Sequence, residues 1–290
     1  MRRVTARTPS RILMVRTDRI GDVVLTIPAI RVLREQFPDA DIRFLCRSYT
    51  APLLRHHPDL NGTLEYDPDG GSHSGLGVIA RLARELRRHE FDLAFLFHPR
   101  PELALALRLA GIAQRVGTGY RWYSFLLNRR VFEHRTKSRR HELDLNLSLL
   151  RNHVANLPEA GQVRFGLTVD DDLRARRESA LRGAGVEGEY VVVHPGSGGS
   201  APVLPPSGYA AATRHLVERF GKAVLLVGTG AEAGLLETVA AEAGPSPLIR
   251  VAHDWDLETY AAVISGASLF LSNSTGPFHI ARAFEVPLLG

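Results

Sequence analysis

Residues 11–46 read RILMVRTDRIGDVVLTIPAIRVLREQFPDADIRFLC. An apolar run, Ile12–Val15, gives way to a polar turn, Arg16-Thr17-Asp18-Arg19-Ile20-Gly21-Asp22. Apolar residues at helical spacing then run from Val23 to Gln36, and a second apolar run follows at Ile42–Cys46. Strand, turn, amphipathic helix and strand make a βαβ unit, whose two strands lie parallel in one sheet. Pro28 falls inside the helical stretch and has no N–H to donate, so it is expected to kink the helix or mark its first turn.

The same alternation continues outward. Further strands are expected at Asp92–Phe97 and Arg115–Gly117, with a helix at Leu76–His89. A second series opens with a helix over Asp170–Gly185, whose run of three aspartates suits a helix N-terminus. It continues with YVVVH (190–194), AVLLV (223–227), LIRVA (248–252) and SLFLS (268–272). A chain of 290 residues is long enough for two separate cores, and the junction is expected near residues 157–170. The expected fold class is α/β, with two doubly wound Rossmann-like domains. In such sheets ligands bind beyond the carboxyl ends of the strands, so the informative residues lie just after each strand.

Composition narrows the function classes. Hydrophobic residues at 44% and charged residues at 23% are those of an ordinary globular protein. No apolar run approaches the roughly 20 residues needed to span a bilayer, so a cytoplasmic location is expected. The one cysteine, Cys46, excludes an internal disulfide and a cysteine zinc site, and its apolar setting predicts burial. A net charge of +5, carried almost wholly by arginine, points to an anionic partner: a substrate, a nucleic acid or a membrane surface. No basic-aromatic module is present, so nucleic acid is not expected. The dinucleotide and P-loop glycine patterns are absent, as are the H-E-x-x-H and G-x-S-x-G signatures. The pair His56-His57 reads as a solvated helix end, and Arg129–His141, rich in Arg, Lys and His, reads as an exposed loop.

Four loops after strands could carry chemistry. In the first, Gly21 is expected to let the chain turn tightly into a helix with Asp22 as its second residue. Asp22 is then either a favourable charge at a helix start or a general base. In the second, His194-Pro195-Gly196-Ser197-Gly198-Gly199-Ser200, small residues let a phosphate approach backbone N–H groups. Gly228-Thr229-Gly230 is a weaker signal of the same kind. The fourth, Ser272-Asn273-Ser274-Thr275-Gly276-Pro277, combines hydroxyls with an open helix start.

Together these segments resemble glycosyltransferase family 9, the ADP-heptose:lipopolysaccharide heptosyltransferases. The resemblance rests on residues 11–45, VVVHPGSGGSA at 191–201, VLLVGTGAE at 224–232 and LSNSTGPFHIARAFEVP at 271–287. It implies the GT-B fold, two Rossmann-like domains facing a cleft, with an acceptor domain over residues 1–165 and a nucleotide-sugar domain over 166–290. It implies an inverting transfer of heptose from ADP-heptose with no metal cofactor, and an anionic glycolipid acceptor at the inner face of the cytoplasmic membrane. Carried over by position, Asp22 matches the catalytic base. Gly196, Ser197, Gly198, Gly228, Gly230, Trp255, Ser274, Thr275, Gly276 and His279 match the donor side. On the acceptor side, Arg19, Arg100, Arg139 and Arg140 are the candidates for holding an anion.

This chain also departs from the pattern. The family's basic pair and tryptophan after HPGSGGSA are replaced by Pro202-Val203-Leu204-Pro205, so a phosphate-binding lysine is missing and Arg16 or Arg19 is a candidate substitute. Ser274 stands where many relatives carry aspartate. The resemblance further implies loops and a C-terminal helix beyond Gly290. The rival readings are a same-fold transferase with another nucleotide-sugar, a nucleotide-sugar epimerase and a non-catalytic nucleotide-binding protein.

Overall fold

A computed structural model describes residues 8–67, 75–133, 140–197 and 204–290. The chain divides into two compact units, Met1–Gly166 and Leu167–Gly290.

In the first unit, β1 (Arg11–Val15) leads through α1 (Ile20–Val24) and α2 (Ile27–Gln36) to β2 (Asp41–Cys46). The expected single helix is therefore two, because Pro28 sits in the first turn of α2 and the chain restarts there. Then follow α3 (Pro52–Arg55), β3 (Gly62–Glu65), α4 (Leu76–Arg88), β4 (Leu93–Leu96), α5 (Pro101–Leu109), β5 (Gln114–Thr118), β6 (Arg129–Val131) and α6 (Glu142–Ser148). The strands form one parallel sheet in the order β3-β2-β1-β4-β5-β6. From β1 the chain first winds outward to β3, then returns to β4 on the other side of β1. The switch point of the sheet therefore lies between β1 and β4, and in such sheets ligands bind at the carboxyl ends beside it. Both faces of β1 are buried: Leu13 and Val15 pack with Leu82, Leu86, Leu103 and Leu107, while Ile12 and Met14 are equally covered. That is why β1 reads as an unbroken apolar run.

The second unit opens with α7 (Asp171–Gly183), where Asp170 caps the helix by accepting the Leu173 N–H at 2.9 Å. It continues with β7 (Tyr190–His194), α8 (Pro206–Phe220), β8 (Ala223–Gly228), α9 (Ala233–Ala243), β9 (Ile249–His253), α10 (Leu257–Ser265), β10 (Leu269–Ser272), α11 (Gly276–Ala283) and β11 (Leu288–Leu289). Gly221, at φ 60°, ends α8 in the left-handed conformation that a side chain disfavours. The parallel order β11-β10-β7-β8-β9 puts this sheet's switch point between β7 and β10. Val191, Val193, Val224, Leu226, Tyr209, Leu236 and Val239 build its core.

Three expectations are corrected. Arg129–Val131 is an edge strand rather than part of a loop, and His141 caps α6 by accepting the Leu143 N–H at 3.2 Å. His57 is buried, with Nε2 3.1 Å from the Phe165 carbonyl, so it is no solvated helix end. Gly21 lies inside α1 without a positive φ, and Asp22 is the third helical residue rather than the second. Cys46 is buried, and burial pushes its thiol up to about 12. Among the described residues no helix is long and apolar enough to cross a membrane.

Candidate active site

At the switch point of the first unit, the chain leaves β1 at Arg16, whose N–H still donates to the Leu45 carbonyl at 3.0 Å. The Arg16 side chain is 3% exposed and fully engaged. Its Nε meets Asp18 at 2.7 Å, Nη1 meets Glu142 at 3.0 Å and Asn146 at 3.1 Å, and Nη2 meets Asp22 Oδ1 at 2.9 Å. Burial works against this charge, but Asp18, Asp22 and Glu142 more than offset it and hold the guanidinium above its ordinary value. Asn146, on α6, donates back to the Leu25 carbonyl and to Thr26, so it ties α6 to the end of α1.

Arg16 is thus a positioning cation for Asp22, and the expectation that it could substitute for a phosphate-binding lysine is corrected: all three of its nitrogens are committed. Arg19, the residue before α1, is exposed. Asp22 is 36% exposed at its side chain, and its Oδ2 has no hydrogen-bond partner among the described residues. Its carboxyl is held above the ordinary carboxylate value, first by burial and then by Asp18, while Arg16 pulls it down. A carboxylate that is fixed in place, with raised basicity and one open oxygen, can accept a proton.

From the other side of the switch point come His98 and Arg100, just after β4. His98 Nδ1 lies 3.2 Å from Thr17 Oγ1. Burial, then Arg16 and Arg100, push its imidazole down to about 4, so it is neutral at pH 7. Arg100 is exposed, precedes α5 and pairs with Glu102 at 2.9 Å. Arg140 is exposed and pairs with Glu133 at 3.1 Å. Arg139 lies outside the described residues.

In the second unit the loops singled out in the sequence follow neighbouring strands. His194 pairs in register with Ser272, so the loops after β7 and β10 start side by side. Asn273 joins them: its Nδ2 donates to the Pro195 carbonyl at 3.4 Å and its Oδ1 accepts the Leu204 N–H at 3.3 Å. His194 is buried, its Nδ1 donating to the Val227 carbonyl at 3.0 Å with the Tyr260 hydroxyl at 2.9 Å. Burial lowers its imidazole, which stays neutral and structural. Ser274 is exposed and Gly276 begins α11 behind Thr275. Thr275 does not cap the helix, and its buried hydroxyl has no hydrogen-bond partner among the described residues. Among the described residues the start of α11 therefore has no side-chain cap, and Pro277 in its first turn has no N–H to satisfy. His279 is half-buried one turn further on. Gly198 and Pro202 lie outside the described residues, while Gly196 and Ser197 are within them.

The Gly228-Thr229-Gly230 loop corrects an expectation. Glu232 accepts from the Thr229 N–H at 2.8 Å and from its hydroxyl at 2.9 Å, so that amide is not open to phosphate. A methyl group at Gly196 would overlap the same carboxylate, and one at Gly230 would overlap Asp254. The Glu232 carboxylate therefore lies between this loop and the turn at Gly196. Glu232 was missed in the sequence, although the T-x-x-E pattern of Thr229 and Glu232 is a capping-box signal. Half-buried Trp255 follows Asp254, which adopts φ 63°, and precedes Asp256, the cap of α10. Among the described residues no three of the His, Cys, Asp and Glu side chains cluster as metal ligands would.

Known proteins share this fold. The sequence profile of glycosyltransferase family 9 (heptosyltransferase) matches residues 79–290. Lipopolysaccharide heptosyltransferase 3 of Escherichia coli K12 is 24% identical over 272 residues, spanning 93% of this chain and 78% of that protein. The family 9 glycosyl transferase of Veillonella parvula superposes with a TM-score of 0.84 at 19% identity, over 96% of this chain and 79% of that one. E. coli heptosyltransferase WaaC, solved with ADP-2-deoxy-2-fluoro heptose, superposes with a TM-score of 0.77 at 18% identity, over 96% and 87% of the two chains. Two parallel α/β units of this kind are the GT-B fold of a glycosyltransferase. Within that class, the chain belongs to glycosyltransferase family 9.

Proposed function

We propose that this protein transfers a heptose from ADP-heptose to an anionic acceptor of the lipopolysaccharide-core type, inverting the anomeric carbon. The observation that carries the reading is Asp22: a carboxylate at the β1–β4 switch point, anchored by a buried arginine, with raised basicity and one oxygen open. Asp22 takes the proton of the acceptor hydroxyl as that oxygen forms its bond to the anomeric carbon. The bond from that carbon to the diphosphate oxygen breaks, and ADP leaves with the electron pair. A single displacement of this kind needs one base and inverts the centre.

The leaving diphosphate must be met by fixed donors. The N–H groups at Gly196–Ser197 and at the start of α11 around Ser274, Thr275 and Gly276 suit it, in place of a divalent ion. Glu232 suits the hydroxyls of the donor's ribose, and Trp255 a flat base. Arg19, Arg100 and Arg140 are exposed cations of the first unit and suit an anionic acceptor. ADP-heptose is favoured as donor because the fold relative WaaC was solved with an ADP-heptose analogue. A lipid-linked acceptor places the enzyme at the inner face of the cytoplasmic membrane.

The test is purified protein with ADP-heptose and a heptose-deficient lipopolysaccharide acceptor, in excess chelator, with ADP release and product anomer followed together. ADP release with an inverted glycoside supports the reading. A retained configuration, an absolute need for a divalent ion, or turnover only with a different nucleotide-sugar overturns the corresponding part. Conversion of the nucleotide-sugar without acceptor would indicate an epimerase instead.

A further inference from the structure

The connection from β5 through β6 carries four large exposed rings that the reaction does not use. Tyr120 is 46% exposed, Trp122 79%, Phe125 66% and Phe132 62%. They fall within thirteen residues, and they are four of the ten large exposed apolar side chains among the described residues. Isolated exposed apolar residues are ordinary, but a cluster is not. Tyr120 and Phe132 meet edge to face at 5.5 Å, and Trp122 meets the buried Tyr123 in the same way. Gly119 has no room for a methyl group, because the Phe132 ring lies over it. Phe125 lies on a short 3-10 turn, Ser124–Leu126, with Tyr120 and Trp122 just before it and Phe132 just after the edge strand β6.

Along this connection the charge is of one sign, and the acid that faces it from α5, Glu102, is paired with Arg100. Arg121, Arg129 and Arg130 are exposed, and residues 115–132 contain no acidic side chain. The acid that follows, Glu133, is largely covered and is held by Arg140, Arg151 and Ser148. Protein partners present mixed charge, whereas rings bordered chiefly by arginines match a surface that is uniformly anionic and apolar beneath. Tryptophan and tyrosine prefer the boundary between water and lipid, and arginine keeps its charge among headgroups while burying its stem.

We infer that Tyr120, Trp122, Phe125 and Phe132 dock this protein on an anionic lipid bilayer, with Arg121, Arg129 and Arg130 on the headgroups. The inference rests on the reading that the acceptor is lipid-linked and says which surface meets the lipid. The full chain is mixed with vesicles of phosphatidylglycerol and phosphatidylcholine, or of phosphatidylcholine alone, and bound protein is measured by sedimentation. Binding should need the anionic lipid and fall with salt. Trp122→Ala with Phe125→Ala should lose at least about ten-fold in partitioning, and Arg129→Ala with Arg130→Ala roughly five-fold per arginine. Trp255→Phe leaves Trp122 as the one tryptophan, and its emission should shift to the blue on anionic vesicles.

ADP binding, followed by calorimetry, serves as the separate control. No vesicle binding with ADP binding intact overturns the docking surface alone, whereas loss of ADP binding in the parent protein counts against the transferase reading. Equal binding to both vesicle types, no effect of the ring substitutions, or self-association that the ring substitutions abolish would each overturn the inference.

Discussion

Arg16 Nη2 lies 2.9 Å from Asp22 Oδ1, and the arginine is buried while the carboxylate is not. The cation alone would make Asp22 a weaker base. Burial, Asp18 and Glu142 act in the opposite sense and prevail. The arrangement fixes the carboxylate in space and keeps its basicity.

Asp22→Asn should therefore lower kcat by about 10²–10⁴-fold, the usual scale for a general base, while ADP binding stays near the parent value. Its effect on stability has a definite sign. A carboxyl held above its ordinary value contributes stability below that value and loses it as pH rises through the raised one. The ionised group is thus disfavoured by the fold at neutral pH, and the Asn variant should melt no lower than the parent at pH 7. Near-normal turnover would remove Asp22 from the mechanism.

Glu142 raises the Asp22 carboxyl and competes for the same guanidinium. Glu142→Gln should move the acidic limb of the kcat/KM profile to lower pH, because more acid is then needed to protonate a weaker base. A limb that moves to higher pH, or stays, contradicts the assignment of that limb to Asp22.

His98 gives a pH effect on stability. With its imidazole pushed down to about 4, the unfolded chain takes up a proton that the folded one refuses between about 4 and 6.5. Stability should fall as pH drops through that window, and His98→Gln should flatten the fall. Melting curves at several pH values decide; parallel profiles for parent and variant would exclude the effect.

A methyl group at Gly196 must displace the Glu232 carboxylate from its bonds to Thr229. Gly196→Ala should weaken ADP binding about ten-fold, the scale of one charge-assisted hydrogen bond, with little change in melting temperature. Unchanged binding by calorimetry would place the nucleotide elsewhere.

The central strands were legible in the sequence because they are covered on both faces and read as continuous apolar runs, as YVVVH at 190–194 does. The edge strands of the first unit were not. Gly62–Glu65 and Arg129–Val131 are short and mixed in polarity, and RRV looks like a charge run until β5 is seen beside it. In the site, Asp22 and the glycine loops stand out as local patterns. The role of Arg16 does not, since Glu142 and Asn146 lie 126 and 130 residues away and leave no local trace. His57 misled for the same reason: its partner, the carbonyl of Phe165, is 108 residues distant.

The position of β1 has a consequence for biosynthesis. Both of its neighbours, β2 and β4, come later in the chain, so β1 waits until residue 96 before both its edges are covered. In the second unit β7 waits in the same way for β8 and then β10, which ends at Ser272. Parallel sheets with such distant pairings close slowly and leave apolar edges open meanwhile. On the ribosome, at about 5–20 residues per second, β1 stays half-paired for seconds before β4 arrives.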